Sequence, residues 1–576
     1  MKKKWFGLGC LTSFIIVILV IFLLFNSLSK LGKQKVEVAA GSTLHLRLQG
    51  QIMEYNELAE TAFAKNVSGG HEIVSKIRTA ATDDKINSIL LEPSYIAAGY
   101  ATCNEIIAAL DYFQKNGKKV YAYLENAIDT DYYLAAAADH IYMNPSASAG
   151  LVLTGFSSNI NYYKNLLDKI GVEMKVIHAG QYKGTYENYN RNSMSAALRE
   201  NLTELISNRY QVTLQNIAEN RQIAVTKLNE LYENRDYLFI NQQQAIDSGL
   251  VDQLYSLPEL YDHLNITEKR LIDYRQYQNS KQKQSSDQQI AVVYLNGNIM
   301  PAAGSFGINS LSLAKLDEIL DEVENNSKVK AVVLRINSPG GSALEANLML
   351  NRIKELQKKM PVVVSMANVA ASGGYEISAS ADFIVADKSS ITGSIGVVGM
   401  IPNFSGLSQK LEINPEVIKK GKFAGFYNPL MEFDPDFIKS MEKSMNDVYI
   451  EFKQIVAEGR NIPFTEMESR AQGRVYTAAK ALELNLVDEI GNLQTAVEKS
   501  ADLAGIKSYS TVNYPRKKSM TELVFNNIFD KKLVASIGQS KLEKELSRSI
   551  EFYEAIKAEP IQNLMLWKIE TPVPHK

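Results

Sequence analysis

Short motifs recur along this sequence in the same order and at a nearly constant separation. The recurring segments are residues 50–53 and 297–300, 85–91 and 328–334, 138–139 and 381–382, 218–221 and 457–460, and 250–252 and 486–488. The second and third pairs are each 243 residues apart. Five ordered matches indicate a tandem duplication of one domain of roughly 230 residues, which restricts the chain to two copies of one architecture.

The pattern within each copy is that of an α/β domain. In the first copy, residues 44–48, 86–91 and 119–124 are predicted strands, and residues 104–113 are a predicted helix. Strands that alternate with helices are typical of βαβ units with a mainly parallel sheet. The predicted division is an anchor at 1–40, a first domain at 41–273, an exposed polar linker at 274–289, a second domain at 290–507 and a helical extension at 508–576.

An uncharged apolar run of 21 residues, Trp5–Phe25, follows three lysines at the N-terminus. At about 1.5 Å per residue, a helix over residues 5–27 spans a hydrocarbon core of roughly 30 Å. The lysines favour a cytoplasmic N-terminus, so we expect a single-pass membrane protein whose domains lie on the far side of the membrane, which in a diderm bacterium is the periplasm. The alternative is a cleaved signal peptide ending at the small residues 38–40, although the apolar run is long for one.

Charge and cysteine content exclude several classes of protein. The formal net charge is −2, so the sequence offers no strongly basic surface for nucleic acid. The two cysteines are Cys10 and Cys103, and Cys10 lies in the apolar run, which excludes a disulfide framework and a zinc cluster. We predict neither a metal nor another cofactor.

The stretch at residues 361–398 contains a candidate nucleophile. A predicted strand at 362–366 leads into the turn Ala-Ala-Ser-Gly-Gly at 370–374, and a helix is predicted at 375–381. A strand, a tight turn and a helix together raise a serine hydroxyl, here that of Ser372, above a sheet. The alternative is an ordinary serine in a βα turn.

The two copies have lost complementary groups. At an offset of 243 residues, Ser372 corresponds to Asp129, and the glycine loop at 337–341 corresponds to residues 94–98, which contain no glycine. Lys183 of the first copy corresponds to Ala424 of the second. The alternative is sequence drift at unconstrained positions, in which case Lys183 is an ordinary surface lysine. The complementary losses favour one composite site built from both copies.

A serine hydroxyl needs a base before it can attack a carbonyl carbon. The second copy contains no histidine except His575 in the tail, and His178 corresponds to the polar Lys419. A lysine can serve as the base if burial lowers its pKa from about 10.4 to near 7–8. The small and aromatic neighbours of Lys183 are compatible with burial.

The chain resembles a known family, the long membrane-anchored form of signal peptide peptidase A, also called protease IV. The resemblance is carried by Tyr-Lys at 182–183, Ser-Pro-Gly-Gly at 338–341, Ala-Ser-Gly-Gly-Tyr at 371–375 and Thr-Gly-Ser-Ile-Gly at 392–396. It implies tandem ClpP/crotonase-like domains and a Ser/Lys dyad. The sequence departs from the family just after the lysine, at residues 184–189, which leaves the shape of that loop open.

The resemblance also assigns roles to individual residues. Ser372 is the expected nucleophile, Lys183 the general base and Ser394 the hydroxyl that orients the lysine. The backbone N–H groups of Gly341 and Gly373 are the expected oxyanion hole. The family further implies a dome-shaped homo-oligomer, a tetramer, that degrades signal-peptide remnants and other apolar peptides at the membrane.

Two other functions fit the same fold. One is a non-catalytic membrane scaffold whose site has decayed. The other is a crotonase-type acyl-CoA enzyme, because Gly-Gly oxyanion loops occur there too, although a periplasmic location argues against CoA chemistry. Two interpretations fit the apolar residues near the site, Val369, Ile395, Val397 and Val398: they line a pocket for aliphatic side chains, or they belong to the core.

Overall fold

The computed structural model describes residues 38–56, 67–278, 286–302 and 310–516. In the first half the strands are β1 (Ser42–Met53), β2 (Val67–Gly69), β3 (Ile86–Ala97), β4 (Lys119–Leu124), β5 (Asn126–Ile128), β6 (His140–Met143), β7 (Gly150–Val152), β8 (Glu173–Ala179), β9 (Gln253–Leu254) and β10 (Leu271–Asp273). The helices are α1 (Gly70–Ala81), α2 (Tyr100–Lys115), α3 (Asp129–Ala135), α4 (Lys164–Ile170), α5 (Glu187–Asn190), α6 (Ala196–Arg221), α7 (Val225–Glu233), α8 (Gln242–Asp247) and α9 (Leu257–His263).

The second half repeats this order. Its strands are β11 (Gln289–Asn296), β12 (Asn298–Ile299), β13 (Ser310–Leu311), β14 (Val329–Ser338), β15 (Val362–Ala371), β16 (Phe383–Ala386), β17 (Ile391–Gly393), β18 (Val397–Asn403), β19 (Val475–Thr477), β20 (Glu489–Ile490) and β21 (Ser510–Tyr514). Its helices are α10 (Leu313–Glu324), α11 (Ala343–Gln357), α12 (Gly373–Glu376), α13 (Ser405–Lys410), α14 (Pro435–Gly459), α15 (Met467–Arg470), α16 (Ala478–Glu483) and α17 (Leu493–Leu503).

Each half is built on one mainly parallel sheet. The first sheet has the order β10-β1-β3-β4-β6-β9, with β2 beside β1. The second has the order β19-β17-β15-β14-β11-β21, and β19 is antiparallel to β17. β16 also pairs with β15, and β20 pairs with β16. The central strands β14 and β15 are buried along most of their length, as expected when helices cover both faces of a parallel sheet. The α/β class predicted from the sequence is confirmed.

The same side-chain contacts recur in both halves. Asp139 accepts the amide of Val120, and Asp382 accepts the amide of Val362. At the C-terminal end of the long helix in each half, an arginine binds an aspartate, as Arg221 with Asp252 and Arg460 with Asp488. The motifs that revealed the repeat in the sequence therefore hold equivalent places in the two folds.

A buried ionic cluster joins the two halves. Arg335 on β14 is fully buried, and its guanidinium contacts Glu54 at 3.0 Å and Glu105 at 3.1 Å, both from the first half. It also donates to Ser365 Oγ at 2.8 Å. Because a buried arginine needs fixed anionic partners, this cluster holds the two sheets in one relative position.

Three sequence expectations need correction. The helix predicted at 375–381 is the short α12, because the Ser378 hydroxyl donates to Gly374 O at 2.7 Å and competes with helical bonding. The linker predicted as exposed begins with the buried aromatics Tyr274 and Tyr277. The extension predicted as helical from residue 508 starts with strand β21, which pairs with β11, and its remainder at residues 517–576 lies outside the described residues.

The predicted anchor at residues 5–27 lies outside the described residues. Within the ranges that are described, no helix is long and apolar enough to cross a bilayer.

Candidate active site

Ser372 lies at the sharp turn between β15 and α12. Its backbone has φ +54° and ψ −125°, a conformation that L-residues rarely adopt. Its amide donates to Gly393 O at 2.9 Å, and its carbonyl accepts the amides of Tyr375 and Glu376, each at 2.9 Å. A strained serine between a strand and a helix is typical of a catalytic nucleophile, because the turn raises the hydroxyl above the carboxyl edge of the sheet.

The loop that follows β14 packs against this turn. Gly340 and Gly341 have φ values of +95° and +154°. A Cβ on Gly340 would lie 2.6 Å from Gly373 N and 2.7 Å from Ser372 Cβ, so only glycine fits there. Among the described residues, the amides of Gly341 and Gly373 donate to no acceptor, which leaves both available to an oxyanion.

Lys183 reaches this turn from the first half along an antiparallel ribbon. β8 pairs with β18 over all seven residues of each strand, so a strand of the first half is hydrogen-bonded to the second. The chain then turns at Gly180, φ +108°, and Lys183 immediately precedes the 3₁₀ turn Gly184–Tyr186. The ribbon therefore carries the lysine across the boundary between the halves.

The Lys183 side chain is buried with serine oxygens as its partners. It is 6% exposed, and its Nζ lies 2.9 Å from Ser372 Oγ, from Ser394 Oγ and from Ser394 O. Among the described residues, no carboxylate forms an ion pair with it. Burial without an anionic partner lowers the pKa of Lys183 to about 8. The structure thus brings Ser372, Lys183 and Ser394 together within a single chain. The sequence left open whether the serine and the lysine meet within one chain or between subunits.

The turn at residues 472–474, which the sequence analysis did not single out, contacts the lysine backbone. Tyr182 N donates to Gln472 O at 2.8 Å. A Cβ on Gly473 would lie 2.6 Å from Lys183 Cβ, and Gly473 has φ +72°. The absence of a side chain at this glycine lets the turn lie directly on the lysine.

Arg474, at the end of the same turn, contacts both sides of the site. Its carbonyl accepts the amide of Ser394 at 2.7 Å. Its guanidinium lies 4.7 Å from the ring centroid of Tyr182 and pairs with Glu200 and Glu204 on α6, at 2.9 Å and 2.7 Å. Arg474 therefore connects the first-half helix, the residue before the lysine and Ser394.

The corresponding place in the first half holds an aspartate, Asp129, and no hydroxyl. There Asp129 Oδ2 accepts the amide and hydroxyl of Thr154, at 2.8 Å and 3.1 Å, and Asp129 Oδ1 accepts the amide of Gly155. Asp131 accepts the amides of Tyr95 and Ile96, in the loop that corresponds to the glycine loop of the second half. Both aspartates are thus held by backbone amides and act as structural acceptors.

The apolar residues near the site divide into two groups. Ile395 is fully buried and is part of the core. Val369, Val397 and Val398 are half-buried, and Val397 packs against the core of the second half. In the part of the chain that the structure describes, no group of His, Cys, Asp or Glu side chains could hold a metal ion. The chemistry available here is that of a hydroxyl, an amine and backbone amides.

Comparisons with known proteins agree with this geometry. The model of peptidase family S49 matches residues 112–271 and 354–507, more than half of the chain. "Protease 4" of Haemophilus influenzae (strain ATCC 51907 / DSM 11121 / KW20 / Rd) is 30% identical over 518 residues, which are 84% of this chain and 83% of that protein. "Serine protease SPPA, chloroplastic" of Arabidopsis thaliana is 30% identical over 525 residues, 87% of this chain and 74% of that protein.

A solved structure, the "1510-N membrane-bound stomatin-specific protease K138A mutant in complex with a substrate peptide", aligns over 42% of this chain and 98% of that chain. The identity is 14% and the TM-score is 0.27, a likeness too small to support an argument. The family match and the two relatives are sufficient by themselves to assign the family. The chain is a serine peptidase and belongs to peptidase family S49.

Proposed function

We propose that Ser372 and Lys183 form the catalytic dyad of this peptidase, with Ser372 as nucleophile and Lys183 as general base. The single observation that carries the proposal is the 2.9 Å contact between Lys183 Nζ and Ser372 Oγ at a buried lysine. Ser394 orients the amine through its own 2.9 Å contact. The amides of Gly341 and Gly373 are the proposed oxyanion hole.

The first half-reaction acylates the serine. Neutral Lys183 accepts the proton of Ser372 as the oxygen attacks the peptide carbonyl carbon. The carbonyl oxygen becomes an oxyanion, which two backbone N–H groups stabilise, and loss of one such donor costs roughly 10²–10³ in rate. The C–N bond then breaks, and the lysine ammonium returns the proton to the leaving amine.

The second half-reaction releases the acyl group. Lys183, neutral again, accepts a proton from a water molecule that attacks the acyl carbon. The C–O bond to Ser372 breaks, and the proton passes from the ammonium back to the serine oxygen. Both half-reactions need the amine uncharged, and burial without an anionic partner favours that state.

The proposed substrates are apolar peptides, including signal-peptide remnants left in the membrane. The half-buried Val369, three residues before Ser372, supports an apolar preference. We further propose single-pass anchoring in a bacterial inner membrane through residues 5–27, domains on the periplasmic side, ClpP/crotonase-like folds in both halves and assembly as a homo-oligomer, a tetramer in the family it resembles. The anchor proposal is supported by the uncharged run Trp5–Phe25.

Peptide hydrolysis by point variants tests the dyad. We expect Ser372→Ala and Lys183→Met each to lower kcat/KM by at least about 10³-fold, because nucleophile and base act as a unit. Matched controls are Ser380→Ala, whose buried hydroxyl has no partner among the described residues, and Lys175→Met on β8. Near-normal hydrolysis by either dyad variant would reject the dyad.

A further inference from the structure

Asn201 is the only buried residue in the first four turns of α6. Of residues 196–212 it alone is buried, with 2% of its surface exposed, and the next buried residue of the helix is Thr213. An amide side chain costs free energy when it leaves water unless its polar atoms are hydrogen-bonded. The use of the single buried position for a polar group therefore indicates a specific partner.

The partner of Asn201 is the backbone of Val475 on β19. Asn201 Nδ2 donates to Val475 O at 2.7 Å, and Val475 N donates to Asn201 Oδ1 at 3.0 Å. β19 is the edge strand of the second sheet. Its ladder bond at this point joins Ser394 N to Arg474 O, so the N–H and C=O of Val475 face away from β17. The Asn201 amide thus forms the two hydrogen bonds that a further strand would form at this edge.

β19 in turn holds the segment that contains Ser394. Val475 is opposite Gly393, and Ser394 N donates to the carbonyl of residue 474 at 2.7 Å. Gly393 O accepts the amide of Ser372 at 2.9 Å. A displacement of β19 would therefore move the Ser394 hydroxyl and the backbone of Ser372 together.

The same face of α6 contacts the segment that carries the lysine. We call residues 173–186, which comprise β8 and the 3₁₀ turn after Lys183, the lysine arm. Leu198 packs against this arm, because a Cβ on Gly184 would lie 2.9 Å from Leu198 Cδ1. Residues three apart on a helix lie on one face, as Leu198 and Asn201 do. One helix thus contacts the lysine arm at residue 198 and β19 at residue 201.

From these contacts we propose that Asn201 is a positioning residue of the active site, which fixes Ser394 and the backbone of Ser372 relative to Lys183. The proposal rests on the dyad proposed above and adds one residue to its support. Asn201 acts through the backbone of Val475 and donates to no reacting atom. Because the amide is buried, water does not compete for its two hydrogen bonds.

Loss of the Asn201 amide should change the titration of Lys183. The turn at residues 472–474 leads into β19 and lies directly on the lysine, so a loosened β19 admits water to the amine. Burial lowers the pKa of Lys183 to about 8, so access of water should raise this pKa towards its ordinary value of 10.5. The charged or titratable side chains on the surrounding elements are His178, Tyr182, Tyr186, Glu187, Glu200, Glu204 and Arg474. None of them contributes to the lowered pKa, which burial alone explains.

The rate at which an activated phosphonate labels Ser372, measured from pH 6 to 10, tests the proposal. Asn201→Leu keeps the approximate size of the side chain and removes both hydrogen bonds. We expect its kinetic pKa to rise by about one and its labelling at pH 7 to slow by at least about 10-fold, because less of the lysine is neutral. Asn201→Gln, which retains the amide, should recover part of both changes. If Asn201→Leu does not fold, Asn201→Ala takes its place.

The matched control is Asn403→Leu. Asn403 is 5% exposed, and its Nδ2 donates to Met431 O at 2.7 Å, but it lies at the end of β18 away from Lys183, opposite Glu173. This variant should lower the thermal midpoint and leave the labelling rate and kinetic pKa of the folded fraction unchanged. The proposal is overturned if folded Asn201→Leu keeps the rate and kinetic pKa of the unaltered chain, or if both variants change them equally.

Failure of this proposal is distinguishable from failure of the dyad. Labelling of Ser372 at the unaltered rate in Lys183→Met would reject the dyad, whatever Asn201→Leu does. Slow labelling in Lys183→Met together with unaltered labelling in Asn201→Leu would reject the positioning role alone.

Discussion

At the residue scale, the protonation state of one amine, that of Lys183, controls the proposed chemistry. Lys183 has a pKa lowered to about 8 because burial disfavours its charged form and no anion compensates. Serine oxygens accept from it but add no charge. A histidine would titrate nearer to neutral pH, and a surface lysine would stay charged, so the burial of this lysine is what makes it a usable base.

The first prediction concerns pH. Activity requires neutral Lys183, so log kcat/KM should rise by about one per pH unit below the lysine pKa and level off above about 8. Lys183→Arg should be inactive at every pH, because a guanidinium stays protonated. A profile that is flat from pH 6 to 9 would argue against lysine as the base.

The same pKa predicts a trend in stability. The folded-state pKa lies below the ordinary value of 10.5, so the unfolded chain binds the proton more tightly. The free energy of unfolding should therefore rise as pH increases from about 8 to 10.5, and the burial penalty should be fully present below about 8. Lys183→Met should remove this part of the pH dependence, measured by chemical denaturation at several pH values.

At the element scale, two turns set the geometry of the site. The glycine loop after β14 fixes the oxyanion donors, and the turn at residues 472–474 fixes the separation between the lysine backbone and Ser394. Both turns contain glycines at positive φ, where backbone of another segment occupies the space that a Cβ would need. A small change in the backbone of either turn therefore displaces the reacting atoms.

Gly340→Ala is predicted to impair the reaction more than substrate binding. Its Cβ would lie 2.6 Å from Gly373 N, and the residue has φ +95°, so the loop must move. We expect kcat to fall by about 10²–10³-fold with KM changed little, because the displaced donors act on the oxyanion. A matched control is Gly117→Ala, which also has positive φ but no atom near its Cβ. Equal losses at both glycines would contradict this assignment.

Arg474 is predicted to be a positioning residue. Arg474→Ala removes the ion pairs to Glu200 and Glu204 and the stacking on Tyr182, so the lysine arm should loosen. We expect a fall in kcat of about 10-fold and a shift of the pH profile, both partly restored in Arg474→Lys. A purely structural role would lower the thermal midpoint and leave the kinetic pKa of the folded fraction unchanged.

At the scale of the whole molecule, the active site depends on two sheets held in one relation. The ribbon of β8 and β18 and the buried cluster around Arg335 both cross the boundary between the halves. Arg335→Met leaves Glu54 and Glu105 buried without their cation and should destabilise the fold by about 3–5 kcal/mol. Addition of Glu54→Gln and Glu105→Gln should recover part of that loss in denaturant titrations. No recovery would contradict the electrostatic explanation.

The duplication made the fold class and the two principal residues predictable. Complementary losses at positions 129 and 424 indicated Ser372 and Lys183 without any coordinates. Their meeting in one chain was not predictable, because it depends on the pairing of β8 with β18, which are far apart in sequence. The turn at 472–474 was missed because its contribution is backbone shape, and the only visible signal was one glycine. The prediction of an exposed linker was wrong at its first residues, because the polar composition of the segment concealed the buried Tyr274 and Tyr277.

The central claim is that Lys183 of the first half activates Ser372 of the second half within the same molecule. Its most direct test is the rate at which an activated phosphonate labels Ser372, mapped by mass spectrometry in a co-expressed mixture of Lys183→Met and Ser372→Ala chains. Each molecule in that mixture holds only half of the dyad, so the account predicts labelling at least about 10²-fold slower than in the unaltered chain. Labelling of Ser372 at the unaltered rate would contradict it.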